Sequence, residues 1–396
     1  MTHLLKAMGF WIWGLIAIAL SVSVISVNSR VMQLFRGHDV SATTPRDRSV
    51  AFDAAISQGS ERQLDKNALA TGAANAIDMN SATNTNSTTR TQFSISAQLQ
   101  EYQKVIDYGK QMSDGGTATA NDLLIVAQSY FQLKDCKNTG VWADKAIAAS
   151  RKAGEAPKEN LFLFKLQCAS DASDNAAMLP VLYDLIRLNN KSTYWNTLLR
   201  IERQDERDDH NTLMIYRIMF DTSSMNAGSD YIEMAQLLGD AALPAEAQTV
   251  LEKAMSAGLI KDEQKERTTR LLNSFKTRAD ADKKGLAALD AEATKNPAGE
   301  LDVKLGEVYY GTGDYQNAVT ALNRGIQKGQ VKHLDEAYVY LGRASFALGD
   351  DLGARDALIH LREVADISPR VLNLWQLHAE TVRAAALSAA TAAVAR

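Results

Sequence analysis

The sequence has few of the residues that mark disulfide scaffolds, fibrous proteins or strongly charged binding proteins. Its 396 residues include two cysteines and six prolines, which excludes a disulfide framework and a collagen-like chain. Lys and Arg number 43 against 47 Asp and Glu, and the resulting net charge of −4 gives no overall attraction to nucleic acid. We therefore expect no nucleic-acid partner. Hydrophobic residues make up 46% of the chain, enough to bury a sizeable core.

Sequence patterns that carry enzyme chemistry are also absent. The chain contains no G-x-S-x-G, Walker A, H-E-x-x-H or C-x-x-C motif. The fragment from Gly311 to Gly313 has the start of a phosphate-binding loop, but Gln316 occupies the position of the third glycine. We predict that the protein is not an enzyme and that it has no cofactor, no metal site and no small-molecule substrate.

Residues 1–36 have the pattern of an export or membrane signal. The segment from Met8 to Val27 carries no charge, and it lies between Lys6 and Arg30. It fits a signal peptide that is cleaved, and it equally fits a helix of about 20 residues that crosses a bilayer. Both readings stay open, so residues 1–36 are predicted to be either a signal peptide or a retained N-terminal membrane anchor.

Residues 37–96 have the composition of a disordered, flexible linker. The part from residue 71 onward consists mostly of Ser, Thr, Asn and Ala. Such a segment offers too little apolar surface to offset the conformational entropy lost on ordering, about 1–2 kcal/mol per residue. We expect this low-complexity region to tether the part of the chain that follows.

From residue 97 onward, apolar residues recur at helical spacing and the pattern itself repeats. The segment from Leu305 to Gly325 recurs 36 residues later from Leu341, and an earlier copy begins at Tyr231. Small residues recur where the two helices of each copy would cross, because only small side chains let helix backbones approach closely. The predicted crossing positions are Ala127, Ala235, Ala247, Gly306, Ala318, Gly342 and Ala354.

Residues 97–383 are therefore predicted to form an all-α stack of antiparallel helix pairs. We expect a capping helix from Ala97 to Met112 at one end and another from Pro369 to Ala386 at the other. The copies that contain Met234 and Leu305 lie 71 residues, or two periods, apart, so a helix pair is expected in the gap, from Lys261 to Asn296. The Ala-rich residues 384–396 are predicted to form a C-terminal tail that either extends the last helix or frays.

The repeat resembles the tetratricopeptide repeat (TPR), a helix pair of about 34 residues with small residues at two crossing points and aromatic residues between them. Tyr309 and Tyr315 occupy such aromatic positions. The resemblance implies a right-handed α-solenoid. Together with the N-terminal segment and the linker, it extends to exported TPR proteins of the Gram-negative cell envelope, and the segments that begin at Tyr194 and Ala235 carry that likeness.

What the resemblance implies is a non-catalytic scaffold that binds a segment of an unidentified envelope protein in the concave groove of its superhelix. It also implies a periplasmic location, either soluble after signal cleavage or anchored to the inner membrane. A second function stays open: an assembly or accessory factor of an envelope transport, secretion or polymer-synthesis complex, anchored in the membrane through the N-terminal helix.

The groove of such a repeat is lined by first-helix positions. Aromatic and arginine side chains anchor peptide partners well, because they desolvate large rigid surfaces and form directed hydrogen bonds. The predicted groove residues are Phe131, Asn196, Arg200, Arg203, Gln236, Glu307, Tyr310, Arg343 and Phe346.

Cys136 and Cys168 lie in consecutive helix pairs. In an oxidising periplasm they either form a disulfide or remain two separate buried thiols, and the sequence leaves both open.

Overall fold

The computed structural model describes residues 83–204, 206–364 and 367–394, and within these ranges it describes side chains from residue 87 to residue 382. All regular structure in these ranges is helical, with sixteen α-helices and a short 3-10 helix at Leu361–Glu363. The all-α fold class is thereby confirmed. The described chain divides into two compact units, the first ending at Leu188 and the second beginning at Asn189. The predicted signal segment, residues 1–36, and most of the predicted linker lie outside the described residues.

In its described part, residues 83–188, the first unit contains six helices, and each packs on the next one in the sequence. Contacts between α3 and α5 show that helix pairs also stack on their neighbours. The helices are α1 (Thr83–Gln98), α2 (Tyr102–Asp114), α3 (Ala120–Gln132), α4 (Cys136–Lys152), α5 (Glu159–Asp171) and α6 (Asn175–Leu188).

The second unit contains ten helices with the same short connections. They are α7 (Ser192–Gln204), α8 (Asp209–Asp221), α9 (Gly228–Asp240), α10 (Pro244–Ser256), α11 (Asp262–Lys295), α12 (Glu300–Gly311), α13 (Tyr315–Lys328), α14 (Leu334–Ala347), α15 (Asp351–His360) and α16 (Pro369–Val394). Besides packing on α15, the last helix α16 contacts α8, so the beginning and the end of this unit meet.

A common turn joins the two helices of several pairs. Gly313 has φ 81° and Gly349 has φ 77°, a left-handed conformation that glycine adopts without steric cost. The aspartate that follows caps the next helix: Asp314 accepts a hydrogen bond from the backbone N–H of Asn317, and Asp350 accepts one from that of Gly353. The Gly313-Asp314 and Gly349-Asp350 pairs therefore form the turns between the two helices of their pairs.

Small residues lie where the helices of a pair cross. A Cβ placed on Gly306 would lie 2.5 Å from Cγ of Leu322, and one on Gly342 would lie 2.8 Å from Cγ of Leu358. The backbone carbonyls of Ala318 and Ala354 are the next atoms in contact. These side chains permit the close approach of α12 to α13 and of α14 to α15.

The prediction of a helix pair between residues 261 and 296 is wrong. A single helix, α11, covers Asp262–Lys295. Its sequence is rich in Ala, Lys and Glu, all strong helix formers, and Gly285 alone is too weak a signal to end the helix. The first half of α11 buries Leu272 and Phe275, and its second half packs Ala293 against α12 and α13 in a cluster with Leu305 and Ala321.

Because α11 has no turn where a helix pair was predicted, the helices that share a layer differ from those expected. With one helix instead of two in the middle of the unit, α10 contacts α12, and α12 contacts α14. The second helices of the early pairs, α8 and α10, therefore lie with the first helices of the later pairs, α12 and α14. In the second unit, the first helices of the pairs therefore do not form the one continuous groove that was predicted.

Three predicted boundaries differ from the structure. Residues 83–96, assigned to the flexible linker, are helical, and Phe93 is 2% exposed. The capping helix predicted from Ala97 to Met112 is two helices, because the chain turns at Gln100 with φ 57°. The predicted tail continues α16 as far as Val394, and the start of that helix buries Val371, Leu374 and Trp375.

None of the helices in the described part of the chain has the length and apolar character needed to span a membrane. The hydrophobic segment from Met8 to Val27 lies before that part.

Candidate functional site

The predicted groove residues of the second unit lie in separate places. Arg200 and Arg203 line a cavity of about 620 Å³ between α7, α8 and α9, together with Glu233 and Leu237. Tyr310, Arg343 and Phe346 line a second cavity of about 220 Å³. Glu307 lines a third, of about 400 Å³. The division follows from the single helix α11, which separates the early first helices from the later ones.

In the first of these cavities the two arginines are held by acidic residues of α9. Arg203 contacts Asp230 at 3.4 Å and Glu233 at 3.2 Å, and its Nη1 donates to the hydroxyl of Tyr216. Arg200, whose side chain is 51% exposed, lies 3.6 Å from Asp230. Their charges are therefore largely neutralised within the unit.

Three other predicted groove residues lie elsewhere. The Asn196 side chain donates a 2.6 Å hydrogen bond to the backbone carbonyl of Ser224, which places it in a structural contact. Gln236 is exposed on α9. Phe131, in the first unit, stacks on Phe164 with ring centroids 4.8 Å apart.

The second cavity, which we call the Phe346 cavity, combines an apolar rim with a charged wall. Its lining includes Phe220, Tyr310, Arg343, Phe346, Leu358 and Val382. Phe346 is 55% exposed, and the nearby Leu348 and Leu352 are 45% and 76% exposed. Three large apolar side chains around one turn, between α14 and α15, form an unusual surface for a folded domain.

Arg343 is 6% exposed, and all three of its guanidinium nitrogens donate hydrogen bonds. Its Nε and Nη2 donate to the two carboxylate oxygens of Asp221 at 3.0 Å each, and its Nη1 donates to Glu246 at 2.6 Å. The guanidinium also lies 4.7 Å from the ring centroid of Tyr310. Arg343 therefore supports the wall of the Phe346 cavity. Its charge is compensated by Asp221 and Glu246, so it contributes little electrostatic attraction to a partner.

A second buried arginine extends this network. Arg217, which is 0% exposed, donates to Glu336 at 2.9 Å and to the hydroxyl of Tyr340 at 2.6 Å. That hydroxyl donates to Glu246 at 2.5 Å. Burial by itself would raise the pKa of Glu246, but the guanidinium groups of Arg343 and Arg217 outweigh it and lower the pKa. The network joins α8, α10 and α14.

The third cavity, the Glu307 cavity, contains a carboxyl with no hydrogen bond or ion pair to the described residues. Burial raises the pKa of Glu307 to about 8, and the nearby charge of Glu336 adds to the effect. His210 and His333 belong to the same lining. This combination of groups was not expected from the sequence.

The sequence reasoning missed Arg217, Glu246 and the two histidines. Arg217 interrupts an otherwise apolar face of α8, and a charged residue at a core position is the one sequence signal that marks it. The partners of His210 lie more than 120 positions away, so no spacing motif reveals them.

In the first unit, the sulfur atoms of Cys136 and Cys168 are bonded in a disulfide, with their Cα atoms 5.5 Å apart. The bond links the start of α4 to α5, in consecutive helix pairs.

No protein-family model matches the chain, and no curated protein does. Among solved structures it is similar to a tetratricopeptide repeat protein from Parabacteroides merdae, at 14% identity and a TM-score of 0.25, over 70% of this chain and 98% of that one. It is also similar to PilW, a type IV pilus biogenesis factor, at 10% identity and a TM-score of 0.22, over 64% of this chain and 97% of that one.

A further likeness is to the pentatricopeptide repeat protein PPR10 from maize, at 15% identity and a TM-score of 0.28, over 84% of this chain and 46% of that one. The first and the third of these structures are described as repeat proteins. The assignment of this chain to helix-pair repeats rests on its own turns, crossings and helix contacts.

Proposed function

We propose that this protein is a non-catalytic interaction scaffold that holds a segment of a partner protein against the Phe346 cavity. The observation that carries the proposal is that Tyr310, Arg343 and Phe346, three of the predicted groove residues, line one surface cavity. Phe346 on its lining is 55% exposed, and Leu348 and Leu352, in the turn that follows α14 and at the start of α15, are exposed as well. The volume, about 220 Å³, accommodates an apolar side chain rather than a whole helix.

The chemistry of the cavity favours a hydrophobic anchor residue on the partner. Phe346 and Leu358 supply apolar surface, and burying such surface stabilises a complex by about 25 cal/mol per Å² before the costs of association. The buried ion pair of Arg343 with Asp221 holds the wall rigid, so little ordering is needed when the partner binds.

The test is a binding experiment with detergent-solubilised membranes. Phe346→Ala combined with Leu352→Ala removes exposed apolar surface without touching the buried network, so the fold is expected to persist. The matched control is Leu133→Ala, which removes a 47% exposed leucine of the first unit. We expect a partner captured by the native chain to be retained by the control and lost from the double variant; equal capture by all three chains rules out the Phe346 cavity.

The cellular location is part of the proposal. The uncharged segment from Met8 to Val27 favours export, and the disulfide between Cys136 and Cys168 is compatible with an oxidising compartment such as the periplasm. The protein is then soluble after signal cleavage or anchored to the inner membrane. N-terminal sequencing of the mature protein distinguishes these, because a sequence that begins after Val27 requires cleavage.

A second candidate function is assembly or accessory work in an envelope transport, secretion or polymer-synthesis complex. The same N-terminal segment favours it, because an anchor would hold the scaffold at such a complex. Deleting residues 1–36 separates the two functions. A simple binder keeps its affinity in vitro, whereas an assembly factor loses its complex in cells.

A further inference from the structure

Two histidines and an aspartate meet where α8 and α14 begin. His210 lies in the first turn of α8, His333 directly precedes α14, and Asp335 lies in the first turn of α14. One nitrogen or oxygen atom from each of the three side chains lies within 4.8 Å of the others. Nε2 of His210 is 2.5 Å from Oδ2 of Asp335, and the two imidazole centroids are 5.1 Å apart.

These three groups are the donor set that borderline divalent metals prefer. Two neutral imidazoles and a carboxylate bind Zn²⁺ with bonds of about 2.0–2.2 Å, which separates tetrahedral ligand atoms by about 3.4 Å. The three ligand atoms lie within 4.8 Å of one another, so the widest separation has to shorten by no more than about 1.4 Å when a metal binds. His333 is exposed, and its ring nitrogens make no hydrogen bond to the described residues, so its imidazole is available as a ligand.

A second carboxylate, that of Glu336, lies near the other ring nitrogen of His210. Nδ1 of His210 lies 3.7 Å from Oε1 of Glu336, on the side of the ring away from Asp335. Glu336 is itself held by the buried Arg217 through a 2.9 Å ion pair. At 3.7 Å this is not a hydrogen bond; a small shift of the ring toward Glu336 would let Nδ1 donate to it, and such a bond fixes the orientation and the tautomer of a ligating imidazole.

The cavity beside the three residues carries an excess of negative charge. The lining of the Glu307 cavity contains more carboxyl groups than lysines, which favours a cation at its edge. Without Glu307, whose pKa of about 8 keeps it protonated near neutral pH, the carboxyl groups are those of Asp209, Asp240, Glu300 and Glu336, and the lysines are Lys304 and Lys332. Three protein ligands leave a fourth coordination position, which water fills from the cavity side.

We propose that His210, His333 and Asp335 bind one divalent transition-metal ion of the zinc type. The ion bridges α8 to α14, two helices that lie far apart in the sequence and adjacent in the second unit. Its role in this position is to strengthen the contact between the early and late helix pairs.

The experiment uses the purified full-length chain without a histidine tag, freed of metal by a chelator. Isothermal titration with Zn²⁺ measures stoichiometry and affinity, and titration with Co²⁺ reports coordination through its visible absorption. We expect one Zn²⁺ per chain, a higher melting temperature with Zn²⁺, and no comparable effect of Mg²⁺ or Ca²⁺, whose preferred ligands are oxygens.

Variants locate the site. His333→Ala removes an exposed ligand that makes no hydrogen bond to the described residues, so the apo protein is expected to fold and melt as the native chain does. It should bind Zn²⁺ at least about 10-fold more weakly. His210→Gln tests the buried ligand, and His360→Ala, on α15, is the matched control that should bind normally. Equal Zn²⁺ affinity in the native chain and His333→Ala, or no Zn²⁺ binding by the native chain, overturns the proposal.

Discussion

Arg343 donates two parallel hydrogen bonds to the carboxylate of Asp221, which lies 122 positions earlier in the sequence. This bidentate pair joins α14 to α8. Because the arginine is almost completely buried, its charge depends on Asp221 and Glu246 for compensation.

Replacing Asp221 with Asn should destabilise the second unit. The substitution keeps the size of the side chain but leaves a buried guanidinium short of negative charge, at a cost of about 3–5 kcal/mol. Chemical denaturation followed by circular dichroism measures it. The matched control is Asp144→Asn, which breaks a pair with Lys165 on the surface of the first unit and should cost about 1 kcal/mol or less. Similar losses in the two variants would contradict a structural role for the buried pair.

Replacing Gly306 with Leu should overpack the crossing of α12 and α13. Even a Cβ at this position meets Leu322 at 2.5 Å and the carbonyl oxygen of Ala318 at 3.3 Å. We expect a loss of about 1–3 kcal/mol, measured as a lower melting temperature. In contrast, Gly285→Ala on α11 meets nothing within 4 Å and should stabilise the helix by about 0.5–1 kcal/mol. An unchanged melting temperature for Gly306→Leu would mean that the helices are not in this register.

Removing the disulfide should destabilise the first unit by about 3–4 kcal/mol, because Cys136 and Cys168 close a loop with a sequence separation of 32. Thermal unfolding of Cys136→Ala combined with Cys168→Ala measures the loss. A reductant should lower the melting temperature of the native chain to that of the double variant. The variant itself provides the control, since the reductant should leave it unchanged. Two free thiols in protein purified without reductant from an oxidising compartment, counted by mass spectrometry, would contradict the bond.

The stability of the second unit should fall as the pH rises from about 5 to about 9. In the folded chain the pKa of Glu307 is about 8, against an ordinary value of 4.5, so in this range the folded state holds a proton that the unfolded state has lost. Glu307→Gln removes this loss of stability at high pH, because the glutamine amide does not ionise.

We expect the melting temperature of Glu307→Gln to equal that of the native chain near pH 5 and to exceed it by about 2 °C or more at pH 9. A chelator is present in all of these measurements. Glu263→Gln, at an exposed position of α11, is the control and should show no such divergence. A constant difference at all pH values would mean that Glu307 ionises normally in the folded protein.

The sequence predicted the helices and their crossings because both depend on local information. The spacing of Gly306, Gly313 and Asp314 within one repeat specifies a close crossing, a left-handed turn and a helix cap, and each of these is formed by residues near one another in the chain. The same holds for the repeat that begins at Leu341. Such patterns can be recognised without knowing what the neighbouring pairs do.

The surfaces were harder to predict because they depend on which helices of successive pairs lie in the same layer. A helix pair was expected between Lys261 and Asn296, but α11 continues through this region as one helix, and the later helices then lie in a different layer from the one expected. The single predicted groove therefore became three cavities. The ion network of Arg217 and Arg343 was also beyond sequence reasoning, since its partners come from helices about 100 positions away.

The contact of α16 with α8 has a consequence for how the second unit unfolds and folds. An open stack of repeats frays from its free ends, one pair at a time. Here the terminal pairs hold each other, so neither end is free to detach first, and we expect one cooperative transition instead of stepwise melting. The same contact means that α8 leaves the ribosome long before its partner exists, and this unit completes its fold only when translation reaches the final helix.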